Sequence, residues 1–111
     1  MIEEIIRTYL LPLVSVPVYT ERPETPPDSY IVVERTGGSI ENHLRYAMVA
    51  VQALAPSMYG AASLHEAIIQ HMMTLNTVDD VSGIRLNSEY NFTDTSIKGY
   101  RYQSVYDIYY F

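Results

Sequence analysis

His65 followed directly by Glu66 has the opening of the helical zinc-protease motif, in which two histidines four residues apart hold the metal and the glutamate acts as base. The motif needs its second histidine at position 69, which is Ile69. His71 lies six residues on, ~600° round a helix and so ~120° from His65, too far to share an ion. Gly37-Gly38-Ser39 has the glycines of a phosphate loop, but no Lys-Ser or Lys-Thr follows and no helix begins there. Asp79-Asp80, Asp94 and Asp107 are the carboxylates available for paired acid and base work; Asp107 alone falls in an expected strand, and all read as solvated acids. No glycine-flanked serine elbow accompanies the three histidines. Asn91-Phe92-Thr93 fits a glycosylation sequon, but the chain shows no signal peptide and the triplet reads as loop sequence. The expectation is a non-enzymatic protein with no cofactor and no bound metal.

The elements that would position these residues follow from apolar spacing. Ile2, Ile5, Ile6, Tyr9 and Leu10 recur at three and four residues, which predicts a short helix over residues 2–11 with Glu3 and Glu4 in its first turn, ended by Pro12. The β-branched run Val14 to Tyr19 contains Pro17 and reads as a short edge strand. Glu21 to Asp28, with Pro23, Pro26 and Pro27, is a connecting loop. Tyr30 to Arg35 is the next strand, and Gly37-Gly38-Ser39 with Glu41-Asn42 supplies hairpin turn residues before a longer strand from His43 to Ala53.

Ser57 is the expected N-cap of the one substantial helix, whose stripe of Ala61, Leu64, Ile68, Met72 and Leu75 carries it to about Leu75. Asn76 to Asp80 is a polar break and Val81 to Tyr90 a strand with Ile84 and Leu86 on one side. Asn91 to Gly99 is a polar loop, and the last strand runs from Tyr100 to the C-terminus. In it Tyr100, Tyr102, Tyr106, Ile108 and Tyr110 alternate against Arg101, Gln103, Val105, Asp107 and Tyr109. The order α-β-β-β-α-β-β lacks the βα rhythm of a doubly wound sheet. It predicts an α+β fold: a mostly antiparallel sheet of about five strands, one long helix across a face, and a short N-terminal helix.

At 111 residues with 48% apolar and 18% charged positions, residues 1–111 read as one folded domain. Thirteen acidic residues against seven basic give a net charge of −6, and six of the seven cations are Arg, the exception being Lys98. That balance argues against a protein that coats nucleic acid through phosphate contacts, though not against one that DNA merely passes. The absence of Cys removes disulfides, thiol nucleophiles and Cys-ligated metals. No apolar run approaches the ~20 residues of a membrane span, which predicts a soluble, intracellularly made protein. Eleven Tyr against two Phe and no Trp suit either a β-rich domain or a Tyr-rich contact surface.

Taken together, Val16-Pro17-Val18-Tyr19, the Pro-rich loop, Tyr30-Ile31-Val32-Val33, the helix from Ser57 to Leu75 and the ending Tyr100 to Ile108 resemble small tail-component proteins of long-tailed phages and prophages. The chain looks most like the tail completion or tail terminator group; neighbouring head-closure and minor capsid proteins share its size and composition. The stretch Asn87 to Thr95 is similar to Gram-positive prophage relatives. The resemblance implies a small α+β subunit that forms a ring, hexameric in the family, caps the head-proximal end of the tail tube and joins tail to head. Its implied partners are further copies of itself, the tail tube protein and the head connector or head-completion protein, with DNA passing through without specific binding. Its implied location is the virion tail, assembled in the host bacterial cytoplasm. On that reading Tyr100, Tyr102, Tyr106, Tyr109, Tyr110, Asn91, Phe92, Thr93 and Asp94 are candidate subunit or partner contacts. Glu41, Asp79 and Asp80 are candidate acids of the lumen.

Overall fold

A computed structural model describes residues 1–96 and 99–111. Helix α1 (Ile2–Leu10) is followed by β1 (Val18–Tyr19), β2 (Tyr30–Glu41), β3 (Leu44–Ala55), α2 (Met58–Met72), a 3-10 turn (Leu75–Thr77), β4 (Val81–Asn91) and β5 (Tyr100–Tyr110). The strands form one sheet in the order β1-β2-β3-β5-β4, so the expected α+β class and element order hold. The sheet is mixed, however: β1 runs parallel to β2 while every other pair is antiparallel.

The first strand is also shorter than residues 14–19 suggest. Pro17 has no N–H to donate to a ladder; its carbonyl accepts from Ile31 N at 2.9 Å, and pairing is confined to Val18 with Ile31 and Tyr19 with Val32.

Alternation puts Ile31 and Val33 of β2, Ala47, Val49, Val51 and Ala53 of β3, and Tyr106, Ile108 and Tyr110 of β5 on one face. Against it lie Ile2, Ile6 and Leu10 of α1 and Ile68, Met72 and Leu75 of the second helical segment, all buried in one core cluster. Ser57 caps α2, its hydroxyl accepting from Gly60 N at 3.0 Å. The helix closes at Met72 and Leu75 enters the core from the 3-10 turn. The opposite face of the sheet has no helix over it among the described residues.

The hairpin turn falls further along than the glycines indicate. Asn42 and His43 take positive φ values of 51° and 68° and form the two-residue turn, while Gly37 and Gly38 lie inside β2, at a bulge between Arg35 and Gly37. A Cβ on Gly38 would lie 2.6 Å from the Tyr46 carbonyl oxygen, so the glycine serves a close strand approach rather than a turn. Residues from Glu34 to Arg45 are exposed. A 12-residue strand is itself ~40 Å long, so the 44 Å axis of the molecule follows the strands.

Candidate interaction surfaces at the two ends of the sheet

Strand register places the candidate acids together at one end. Ile40 pairs with Arg45, Arg45 with Tyr110, and Tyr110 with Val81, so the tip of β2 and the start of β4 share a level. Glu41, Asp79 and Asp80 are all exposed there, and the Asp80 carbonyl accepts from Phe111 N at 3.0 Å. Three strand spacings of about 4.8 Å separate the outer strands, which spreads the acids along this end without pairing them.

The other end gathers the two loops. Tyr100 pairs with Ala55, and Asn91 with Tyr102, which brings the connection after β4 beside the Pro-rich connection before β2. Between them lies a cleft of about 280 Å³, lined by Arg22, Pro26 and Pro27 from one side and Asp94 and Gly99 from the other, with Tyr30, Tyr100 and Arg101 also in its lining. The loop read as Asn91 to Gly99 includes Ile97 and Lys98, which lie outside the described residues.

Its described part is tied down. Asn91 Oδ1 accepts from Thr93 N at 3.0 Å and Thr93 Oγ1 at 2.7 Å. Thr93 Oγ1 accepts from Arg101 N at 3.1 Å, and the Arg101 guanidinium lies 4.4 Å from the Phe92 ring centre while its Nε donates to the Phe92 carbonyl. Asp94 accepts from Ser96 Oγ and N at 2.6 and 2.9 Å, bonds that hold its carboxyl below the ordinary range. Phe92 and Asn91 stay exposed.

The tyrosines of β5 divide. Tyr100 and Tyr109 are exposed, and Tyr109 lies 5.3 Å from the Tyr46 ring on the open face. Tyr102 is half-buried and packs on His65 at 5.1 Å. Tyr106 and Tyr110 are buried, a correction to their reading as contact residues: they alternate onto the face under α2. Burial pushes the Tyr106 hydroxyl far above its ordinary pKa.

Two polar arrangements escape sequence reasoning because their members come from different strands. Asp107 is 2% exposed, not a solvated acid. Its Oδ1 accepts from the Tyr46 hydroxyl at 2.5 Å, and its Oδ2 from Arg85 Nη2 at 2.6 Å and Asn87 Nδ2 at 3.2 Å. Burial pushes the Asp107 carboxyl up, but these three hydrogen bonds and the Arg85 charge outweigh it and hold it below the ordinary range. Four residues back along β5, Gln52 Nε2 donates to Gln103 Oε1 at 2.8 Å, and Gln103 Nε2 to the Tyr90 hydroxyl at 2.6 Å.

His65 is 2% exposed. Its Nε2 meets Glu89 Oε1 at 2.9 Å, clasping α2 to β4, and Nδ1 has no partner among the described residues. Ligand-type atoms of His65, Glu66 and Glu89 lie within 4.8 Å of one another. With Nε2 as a metal ligand, Nδ1 would carry a buried proton with no acceptor, the reverse of the support that ligating histidines receive. The arrangement is better suited to holding helix to sheet.

No protein-family model and no curated protein matches this chain. Among the described residues no helix is long and apolar enough to cross a membrane.

Proposed function

We propose that the chain is a structural subunit that self-associates into a ring at the head-proximal end of a phage tail tube and joins tail to head. The observation that carries this reading is the segregation of its surfaces. Two loops distant in sequence converge on one end of the sheet around the cleft containing Arg22 and Tyr100, and Glu41, Asp79 and Asp80 stand exposed at the other. A ring subunit needs two such axial faces and a lateral surface for its neighbours. Tail tube and head connector are the axial partners, and the resemblance alone supplies the hexameric symmetry and the virion location.

The test is an in vitro joining assay. Tails assembled without this protein are mixed with the purified chain and then with filled heads, and joined particles are counted by electron microscopy. Joining restored when tails are treated first supports the proposal. Restoration only when heads are treated first makes the chain a head-side connector component, and no restoration in either order, with a strictly monomeric chain, overturns it.

A further inference from the structure

We infer that the outer edge of β2 from Glu34 to Ile40 docks β4 of a second copy, residues Val81–Ser88, so that the sheet continues from subunit to subunit. This deepens the ring reading and rests on it. β1 covers β2 only at Ile31 and Val32, and β4 is the last strand on the other side. One sheet therefore carries two edges without a strand partner among the described residues, a state that invites pairing.

The two edges match. Following the register across the sheet, Glu34 stands level with Ala50, Val105 and Ser88, and Ile40 with Arg45, Tyr110 and Val81. Both edges thus occupy the same height. Three successive antiparallel pairings make β4 run opposite to β2. A copy rotated about an axis along the strands keeps its direction, so its β2 would meet β4 antiparallel, the more stable arrangement. The edges are irregular at this height, with one bulge on β2, between Arg35 and Gly37, and two on β4, between Val81 and Gly83 and between Leu86 and Ser88. Such irregularities and charges blunt indiscriminate edge pairing and leave a matched edge as the partner.

Side chains agree by face. Ile40, 71% exposed, lies on the helix-covered side together with the half-buried Ile84 and Leu86, so a docked neighbour would cover all three. Glu34 and Arg85 lie on the open side, both exposed, where opposite charges on neighbouring strands attract. Contact between two different edges is head-to-tail, the kind that closes into rings.

Because the chain has no cysteine, introduced pairs report this contact unambiguously. Two double variants, Glu34→Cys with Ser88→Cys and Ser39→Cys with Gly83→Cys, put thiols level with each other on the open side, and a disulfide forms only when Cβ atoms come within about 4 Å. Oxidised samples of each double variant and each single variant are run on non-reducing gels, with circular dichroism verifying the fold and light scattering on the wild type alongside. The expected result is a head-to-tail ladder from at least one double variant and none from the singles. Dimers from Glu34→Cys alone, as abundant as the products of the double variant, would mean β2 meeting β2 and overturn the proposal. A wild type that is multimeric while no double variant yields a ladder overturns the docking edge and leaves the ring standing. A strict monomer with no ladder overturns both.

Discussion

The Tyr46 hydroxyl donates to Asp107 Oδ1 at 2.5 Å across the β3–β5 pair, on the sheet face opposite the helices. The bond fastens a buried carboxylate whose other oxygen is held by Arg85 and Asn87. With its pKa held below the unfolded value, Asp107 contributes stability that is present above the unfolded pKa of about 3.9 and lost as pH falls through its folded value. Denaturant unfolding should therefore show a decline in acid that is smaller in Asp107→Asn. At pH 7 Asp107→Ala should cost about 1–3 kcal/mol, because Tyr46 and Asn87 lose their acceptor. Arg85, 74% exposed, returns to water. An Asp107→Asn variant with the wild-type acid profile would show that the carboxylate is not a stabilising charge.

The Gly37-Gly38 pair separates two effects that look alike in sequence. Nothing lies within 4 Å of a Cβ on Gly37, whereas one on Gly38 meets the Tyr46 carbonyl oxygen at 2.6 Å. Gly37→Ala should be neutral or stabilising by up to about 1 kcal/mol, through the unfolded chain. Gly38→Ala should destabilise by about 1–3 kcal/mol, since a backbone atom rather than a flexible side-chain end must move. Thermal melts of the two variants check the difference, and hydrogen exchange across residues 34–46 should quicken in Gly38→Ala only.

Ser57 supplies the side-chain cap bond at the start of α2, and Ser57→Ala should cost about 1 kcal/mol. Asp should substitute well, accepting the same Gly60 N–H with a favourable charge at the helix start. Equal melting temperatures for Ser57→Ala and wild type would show that the α2 end is held by its packing instead.

What could be read from the chain divides along the same physical lines. The two faces of β5 were legible because alternation is a property of consecutive residues, and so was the stripe that buries Ala61, Ile68 and Met72. Whether Tyr102 and Tyr106, on one face, end half-buried or buried depends on where α2 crosses the sheet, and Tyr102 lies at its start, against Met58 and His65. Asp107 looked solvated because Tyr46, Arg85 and Asn87 reach it from β3 and β4, and no local spacing encodes such a meeting. The hairpin misled for a different reason: glycine signals both turns and close strand contacts, and only the β2–β3 register, which pairs Gly38 with Ala47, tells them apart. Thr93 lay in a polar loop by composition, yet its hydroxyl is fixed by Arg101 from the next strand.

The charge at the acidic end tests the proposed passage of DNA. Replacing Glu41, Asp79 and Asp80 with Lys adds two charges at each position and brings the formal net charge from −6 to zero. All three are exposed at strand or turn ends, where substitutions usually change stability by no more than about half a kcal/mol each, so the fold should survive. If this axial face rims the mouth of the ring's channel, the triple variant should bind duplex DNA with an affinity that falls steeply with salt, and particles built with it should eject their genome more slowly. The effect should fade as ionic strength rises, because repulsion between exposed charges is screened over about 10 Å at 0.1 M salt. Fluorescence anisotropy with a labelled duplex across a salt series measures the first, and timed ejection measures the second. A triple variant that assembles and ejects at the wild-type rate would place these acids away from the passage and leave solubility as the role of the net charge.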